Sequence, residues 1–211
     1  MRQAVVKLGG STAFDHCLDR WVEALASTRL PIVVVPGGGP FADTVREAQV
    51  RIGFSDAAAH KMALLATDQF GLALADLSEK FVPARTFQEI ADVLTENRLP
   101  VWLPASMSID ALDIPVSWDL TSDSLAAWLA RKLDADALLL IKQTRDFSAD
   151  DDLSTLAGRN VIDACFSSMH AEGIDFYLAG PEDAPSARSM LANGELPGIR
   201  IGAPVLARNS G

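Results

Sequence analysis

The sequence predicts an α/β fold in which the strands of a mainly parallel sheet alternate with helices. Short apolar runs of strand length recur along the chain, and the segments between them carry apolar residues at helical spacing. Such alternation is typical of βαβ units, which place parallel strands in one sheet. The first two apolar runs also end in glycines, about 30 residues apart. Strands that end this way indicate two backbone loops at one edge of the sheet.

The elements can be assigned in order from this periodicity. Strands are predicted where a short apolar run is bounded by polar residues or glycine, and helices where apolar residues recur every three to four positions. The predicted elements are strand 3–9, helix 12–27, strand 31–36, helix 39–51, helix 55–80, helix 86–96, strand 101–104, helix 121–133, strand 137–142, strand 176–179 and helix 186–192.

Two of the predicted helices have further features. Thr86 precedes one of them, with Glu89 three positions later, which is the spacing of a capping box. The helix that begins at Ser55 is the longest, and apolar residues surround much of its circumference. Such a helix is either buried centrally or shared with another subunit. The sequence therefore predicts a homodimer or a higher homo-oligomer.

The glycine segments at the ends of the first two strands form the most informative motif. Lys7 stands just before Gly9, Gly10 and Ser11, and the second segment consists of Gly37, Gly38 and Gly39. Glycines let backbone N–H groups approach an anion, and a helix that begins after each loop adds the positive end of its dipole. Neither segment is a Walker A or GxGxxG motif. A surface lysine beside two tight turns is the alternative, but the pair of loops predicts a phosphate site.

A polar turn opens the helix predicted after residue 120. Thr121 or Ser122 is a natural N-cap, and Asp123 in the first turn suits the helix dipole. This structural account is complete in itself. The functional alternative is that Asp123 orients Lys7 or another cation around a transferring phosphoryl group, because phosphoryl transfer depends on positioning and charge neutralisation. Trp118, just before the turn, is the tryptophan best placed to line a substrate pocket.

A second lysine and an acidic segment follow the strand predicted over 137–142. Lys142 ends this strand, where a lysine is commonly a solvated terminus, and a role on nucleotide phosphates is the alternative. Residues 143–156 are polar and acidic, and they lie where ligands bind in open α/β sheets. This segment is predicted to be the most mobile loop of the chain.

Composition and charge limit the classes of function. A net charge of −10 argues against a nucleic-acid partner, because neutralising phosphates along a strand needs a basic face. No segment is long enough to span a bilayer, no secretory signal begins the chain, and the two cysteines lack metal-type spacing, so a cytoplasmic protein is expected. The three histidines share no metal-type spacing with cysteines or carboxylates, so no zinc site is expected. His60, on the longest helix, is interpreted as a packing or interface residue.

Taken together, the motifs resemble those of the amino-acid-kinase (aspartokinase/uridylate kinase) family. The matching segments, which occur in family order, are Val6-Lys7-Leu8-Gly9-Gly10-Ser11, Val35-Pro36-Gly37-Gly38-Gly39 and Thr121-Ser122-Asp123-Ser124-Leu125-Ala126. The resemblance implies a three-layer αβα sandwich and one domain over 1–211, with an acceptor-binding half to about 135 and a shortened nucleotide-binding half from about 136. Within the superfamily, the chain looks most like the short (5-(aminomethyl)furan-3-yl)methyl phosphate kinases of methanofuran-type coenzyme synthesis.

The resemblance also implies a reaction and a set of roles. The reaction is ATP-dependent phosphorylation of a small phosphorylated acceptor, with Mg²⁺ bridging the ATP oxygens and no protein residue assigned as a metal ligand. Lys7 and Asp123 would be catalytic, the first neutralising the transferring phosphoryl group and the second organising the cations. The ATP phosphates would be held by Gly9, Gly10, Ser11 and Lys142. The acceptor would be held by Gly37, Gly38, Gly39, Phe41, Trp118, Thr121 and Ser122.

One segment departs from the family pattern and keeps two alternatives open. Residues 141–147 contain no glycine, although the superfamily usually has a glycine in the nucleotide loop at this place. Lys142 matches the lysine of the uridylate-kinase version of that loop, but the turn after it does not match. The alternatives are a kinase of the superfamily with another acceptor, such as UMP, and a non-catalytic protein that binds a phosphorylated ligand.

Overall fold

The computed structural model describes residues 3–202, in which seven strands form one sheet. The strands are β1 (Ala4–Leu8), β2 (Ile32–Pro36), β3 (Phe81–Ala84), β4 (Leu99–Trp102), β5 (Ala137–Ile141), β6 (Asp175–Ala179) and β7 (Ile199–Arg200). Their order across the sheet is β3-β4-β2-β1-β5-β6-β7. All neighbouring strands are parallel except β6 and β7, which are antiparallel. The single predicted domain extends beyond the described residues at both ends.

Nine α-helices accompany the sheet over the same residues. They are α1 (Leu18–Ala26), α2 (Gly39–Ile52), α3 (Asp56–Asp76), α4 (Phe87–Thr95), α5 (Ala105–Ser108), α6 (Ser122–Lys132), α7 (Leu153–Gly158), α8 (Phe166–Met169) and α9 (Ala184–Ala192). Side chains of α1 and α9 pack on one face of the sheet, and side chains of α4, α6 and α8 pack on the other. The predicted three-layer α/β fold with a mainly parallel sheet is therefore confirmed.

The alternation of side chains along β1 decides where its lysine lies. Successive residues of a strand point to opposite faces of the sheet. Val6 and Leu8 belong to the core beneath α1 and α9, whereas Val5 belongs to the core beneath α6. Lys7 lies two residues after Val5, so its side chain is on the α6 face. Because of this alternation, the Lys7 side chain lies at the first turn of α6.

The first helix differs from its prediction over 12–27. The chain forms a 3₁₀ turn at Gly10–Thr12, and α1 begins only at Leu18. Between them, the Asp15 carboxylate accepts a hydrogen bond of 2.7 Å from the Cys17 N–H, a local turn that competes with helix. Phe14, whose spacing fits the apolar positions of the predicted helix, is 87% exposed.

Differences elsewhere concern short elements. Helix α3 ends at Asp76 rather than near Lys80, because the chain turns there into β3, which was not predicted. Pro83 made that run a poor strand candidate, but β3 is an edge strand, where the missing N–H can face away from the ladder. Strand β4 lies two residues earlier than predicted. The remaining unpredicted elements, α5, α7, α8 and β7, are too short to show a periodic pattern.

A membrane-spanning helix is not found among residues 3–202, since no helix there combines the necessary length and hydropathy.

Candidate active site

Two glycine segments meet at the carboxyl edge of the sheet, where β1 and β2 end side by side. Leu8 pairs with Pro36 in the parallel register, and the Gly37 N–H donates to the Leu8 carbonyl over 3.0 Å. A Cβ atom on Gly37 would stand 2.1 Å from the Gly10 nitrogen, and one on Gly10 would stand 2.1 Å from the Gly39 nitrogen. Only glycine permits this approach of backbone to backbone. The structure thus brings together the two loops that the sequence placed at one edge.

Next to these loops, Asp123 lies between two ammonium groups. Its Oδ1 is 2.8 Å from Lys7 Nζ, and its Oδ2 is 2.6 Å from Lys142 Nζ. The lysines come from the carboxyl ends of the neighbouring strands β1 and β5, and the aspartate comes from the first turn of α6. The three side chains, here called the Lys–Asp–Lys cluster, are mostly buried, with Asp123 only 4% exposed.

The charges of the Lys–Asp–Lys cluster shift the protonation equilibria of its members. Burial alone would raise the pKa of the Asp123 carboxyl, but the ammonium groups of Lys7 and Lys142 outweigh this effect and hold that pKa below its usual value. Burial and the charge of Lys7 lower the pKa of Lys142, and Asp123 offsets this only in part. With all three groups ionised, two positive charges and one negative charge leave the cluster cationic. It can therefore attract a phosphate group in a chain of negative net charge.

The first turn of α6 is held by Asp163, which lies between α7 and α8. Asp163 Oδ2 accepts hydrogen bonds from Thr121 N (2.9 Å), Thr121 Oγ1 (2.7 Å) and Ser124 N (3.0 Å). Asp163 Oδ1 accepts from Cys165 N (3.1 Å) and from the Ser124 hydroxyl. Thr121 is the N-cap of α6, since its Oγ1 accepts from Asp123 N at 3.3 Å. Asp163 therefore positions the turn that presents Asp123, a role that local sequence patterns did not reveal.

We expect Asp163→Asn to lower both the stability of the chain and its catalytic rate. An asparagine has one acceptor oxygen instead of two, so several N–H and O–H groups of the turn lose their partner, at a cost of about 1–3 kcal/mol. The turn that carries Asp123 then loosens. Thermal unfolding and steady-state kinetics measure the two effects.

Asp152→Asn is the matched control for this variant. Asp152 caps α7 by accepting a hydrogen bond of 2.7 Å from Thr155 N, and neither residue lines the cavity described below. We expect this variant to lose stability of the order of 1 kcal/mol with unchanged kcat. Equal changes in kcat for the two variants would contradict the positioning role of Asp163.

A cavity of about 280 Å³ opens beside Lys7 and the glycine loops. It is enclosed by those loops, the segment that leads into α6, and one face each of α2 and α3. The predicted site residues that line it are Lys7, Gly10, Ser11, Gly38, Gly39, Trp118, Thr121 and Ser122. At the end next to the sheet, the wall of the cavity carries an ammonium group, hydroxyls and glycine loops, and Trp118 adds an aromatic surface. Its size and lining suit a small phosphorylated molecule.

Helix α2 supplies polar residues to this cavity that the sequence analysis missed. Trp118 is held in place by a hydrogen bond of 2.7 Å from its Nε1 to Gln49 Oε1. The Arg46 guanidinium lies 4.5 Å from the centre of the Trp118 ring, within the range of a cation–π interaction, and also contacts Asp43 at 3.1 Å. Asp43 and Arg46 both line the cavity.

Helix α3 supplies a second set of lining residues. Asp56, His60, Leu64 and Thr67 follow one another at spacings of four, four and three residues, which places them on one helical face. His60 was interpreted as a packing or interface residue, but it lines the cavity and is only 8% exposed. Burial lowers the pKa of its imidazole. The earlier interpretation was incomplete because the sequence did not show that α3 turns this face to the site.

Phe41, a predicted acceptor-binding residue, does not line this cavity. The residues of α2 that do are Gly39, Ala42, Asp43 and Arg46, and Phe41 lies on another face of the same helix. There it borders a surface groove between α2 and α3, together with Met62 and Leu65. The prediction for Phe41 is corrected on this point, because proximity in sequence to the glycine loop does not fix the direction of a helical side chain.

Three other predicted residues lie at the site without lining its cavity. Gly37 serves the contact between the loops described above. A Cβ atom on Gly9 would stand 3.2 Å from Lys7 Nζ and 3.2 Å from the Ile141 carbonyl oxygen, so this glycine leaves room for the lysine. Lys142 binds Asp123 rather than opening onto the cavity.

The segment after Lys142, which lacks the family's glycine, packs against the end of β6. A Cβ atom on Gly180 would stand 3.0 Å from the Thr144 carbonyl oxygen. The Arg145 guanidinium forms ion pairs with Glu182 and Asp183, the second at 3.4 Å. Further along, the acidic segment ends in α7, so residues 153–156 are helical. The mobility of residues 143–156 stays a prediction.

The fold and this site define an α/β protein whose sheet presents glycine loops and buried ammonium groups at its carboxyl edge, a geometry suited to phosphorylated ligands. The chain belongs to the amino acid kinase family, whose model matches residues 2–152. The predicted family is therefore confirmed, and it supports the prediction of a kinase.

Individual relatives agree with this assignment. The [5-(aminomethyl)furan-3-yl]methyl phosphate kinase of Methanocaldococcus jannaschii is 27% identical over 139 residues, which cover 64% of this chain and 63% of that protein. Among solved structures, the uridylate kinase from Archaeoglobus fulgidus matches with a TM-score of 0.69 and 19% identity, over 95% of this chain and all of that one. The UMP kinase from Bacillus anthracis matches with a TM-score of 0.67 and 14% identity, over 95% of both chains. At these identities, the structural matches show the fold alone.

Proposed function

We propose that this protein is an ATP-dependent phosphotransferase that converts (5-(aminomethyl)furan-3-yl)methyl phosphate to its diphosphate, in cytoplasmic synthesis of a methanofuran-like one-carbon coenzyme. The observation that carries the proposal is the buried Lys–Asp–Lys cluster beside two glycine loops and a cavity. The furan relative, which matches 64% of this chain, supports the acceptor. In this proposal, the acceptor occupies the half of the chain up to about residue 135, and the nucleotide occupies the half from about 136.

The donor groups at the edge of the sheet fit the phosphates of ATP and of the acceptor. Lys7 lines the cavity, so its ammonium group is placed to neutralise the phosphoryl group during transfer. Lys142 adds a second positive charge behind Asp123, and Asp123 keeps both ammonium groups in position. An acceptor phosphate oxygen can attack in line without a protein nucleophile, and Mg²⁺ bound to the nucleotide supplies further charge neutralisation.

In this proposal, the two glycine loops bind the phosphates of different molecules. Gly9, Gly10 and Ser11 face the nucleotide, and Gly38 and Gly39 face the phosphate of the acceptor. Trp118 lines the cavity beyond these loops and offers a flat surface for an aromatic ring. A furan ring fits such a surface.

The direct test mixes purified protein with ATP, Mg²⁺ and synthetic furan monophosphate and follows ADP release, with Lys7→Ala as the control. We expect release that depends on the acceptor and disappears in Lys7→Ala. Strong preference for UMP over the furan monophosphate would replace the proposed acceptor while keeping the reaction class.

A non-catalytic phosphate-binding protein is the second candidate, and the segment after Lys142 favours it. That segment lacks glycine, and the ion pairs of Arg145 fasten it to the segment after β6. If this candidate is correct, calorimetry detects binding of a phosphorylated ligand, Lys7→Ala weakens it, and no acceptor yields ADP. The intact cluster around Asp123 argues for the kinase.

We further propose that the protein forms a homodimer or higher homo-oligomer through α2 and α3. An apolar surface there includes Phe14, Phe41, Leu65 and Leu77, which are 87%, 38%, 49% and 49% exposed. Light scattering on the wild type is expected to give a multiple of the chain mass of 22.5 kDa.

The double variant Phe41→Glu/Leu65→Glu is expected to shift that mass to the monomer. Leu112→Glu is the control, because Leu112 is fully exposed and is not part of this apolar surface. A wild-type protein of 22.5 kDa would overturn the proposal.

A further inference from the structure

His60 is a buried polar side chain that lines the cavity and has no partner in the described part of the chain. It is 8% exposed, and its imidazole makes no hydrogen bond, ion pair or ring contact with residues 3–202. Its ring nitrogens are not sealed from solvent, so at this cavity wall they are available to a polar group of a ligand.

The position of His60 on α3 places it at a distance from the glycine loops. Thr67 marks the end of the cavity next to the glycine loop, because its Oγ1 lies 3.5 Å from the place of a Cβ atom on Gly38. His60 precedes Thr67 by seven residues, which is about 10 Å along a helix axis. His60 therefore lies toward the end of the cavity remote from the glycine loops.

The charges around His60 favour a cationic group there. Asp56 lies one helical turn before His60 on the same face, and its carboxylate accepts a hydrogen bond of 2.8 Å from Gln49 but is paired with no cation among residues 3–202. On the facing helix, Asp43 and Arg46 also line the cavity and pair with each other. Because burial lowers the pKa of His60, its ring is neutral at neutral pH and offers one nitrogen as an acceptor. Asp56, an exposed residue in the first turn of α3, adds one negative charge without a cationic partner among residues 3–202 to this end of the cavity.

We propose that His60 accepts a hydrogen bond from the protonated amine of the acceptor, while Asp56 supplies the opposing charge. This inference rests on the proposed function and deepens it: the site selects phosphorylated acceptors that carry a primary amine at the end remote from the phosphate. Phosphate and aminomethyl groups stand on opposite sides of the furan ring, which matches the separation of the glycine loops from His60. A uracil ring has no ammonium group to offer at this place.

The test compares the furan monophosphate with an analogue in which a methyl group replaces the aminomethyl group. Wild type, His60→Phe and His60→Gln are assayed for kcat/KM with both acceptors and, by calorimetry without nucleotide, for acceptor affinity. We expect wild type to prefer the amine roughly tenfold or more, the range of one hydrogen bond to a charged group. His60→Phe, which keeps an aromatic ring without its nitrogens, is expected to lose that preference, and His60→Gln, whose carbonyl accepts, to retain part of it.

The outcomes separate this inference from the proposed function. Phosphorylation of both acceptors with equal efficiency by wild type overturns the role of His60 and leaves the kinase intact. If His60→Phe lowers kcat/KM equally for both acceptors, the role of His60 is overturned as well, because equal losses indicate a packing defect. Selective binding of the amine without phosphoryl transfer supports the subsite and refutes the kinase. Absence of both binding and turnover for either acceptor overturns both proposals.

Discussion

Asp123→Asn is expected to lower kcat by at least about 100-fold and to destabilise the fold by about 3–5 kcal/mol. The substitution removes the one carboxylate between Lys7 and Lys142 and leaves two largely buried ammonium groups facing a neutral amide. Breaking a buried ion pair by removing one partner carries a cost of this size. The two lysines then repel each other, and the cation that neutralises the phosphoryl group is displaced, an effect comparable to loss of an electrostatic donor in an active site. Denaturant unfolding and steady-state kinetics measure the two losses.

Asp113→Asn provides a matched control on the surface. Asp113 also lies between two cations, at 2.9 Å from Lys132 and 3.3 Å from Arg131, but its side chain is 43% exposed. Exposed pairs of this kind contribute 0–1 kcal/mol as a rule. We expect this variant to keep its activity and most of its stability. If Asp123→Asn changed stability no more than Asp113→Asn does, the buried cluster would not hold the site together.

The location of the cluster's members at one edge of the sheet could be anticipated from the sequence, because each of them lies at a recognisable place. Lys7 and Lys142 end apolar runs, and Asp123 opens a helix after a polar turn. Parallel strands end at one edge of the sheet, so residues at those ends lie along that edge, and the order of the strands decides which of them meet. The sequence did not show that Lys142 contacts Asp123, because that contact depends on the adjacency of β1 and β5 in the sheet.

The residues that escaped prediction act across long distances in the chain. Asp163 caps the first turn of α6 from 42 residues beyond Thr121, and no local pattern distinguishes it from other surface aspartates. His60 and Asp56 lie on a helix whose apolar residues surround it, so the face turned to the cavity could not be read from periodicity. On α2, too, the sequence did not show that the face with Arg46 lines the cavity. In each case, the missing information was the packing of one element against another.

Gly37→Ala is expected to destabilise the fold by about 3 kcal/mol, which corresponds to roughly 6–12 °C in melting temperature for a chain of this size. The new Cβ atom would lie 2.1 Å from the Gly10 nitrogen and 2.8 Å from the Gly10 Cα, so the obstacle is backbone and cannot rotate away. The two glycine loops must then separate at the point where β1 and β2 end. Since a displacement of about 1 Å at a reacting centre can cost of the order of 100-fold in rate, phosphoryl transfer is expected to fall as well.

Gly158→Ala serves as the comparison for this prediction because it adds the same methyl group without a clash. Gly158 closes helix α7, and a Cβ atom there would meet nothing within 4 Å. Alanine also has a higher helix propensity than glycine, so this variant is expected to match or slightly exceed the wild type in stability, with unchanged activity. The contrast isolates the close approach of the loops from the general effect of losing a glycine. If both variants unfolded at the wild-type temperature, the contact between Gly10 and Gly37 would be looser than the structure shows, and the site could not depend on it.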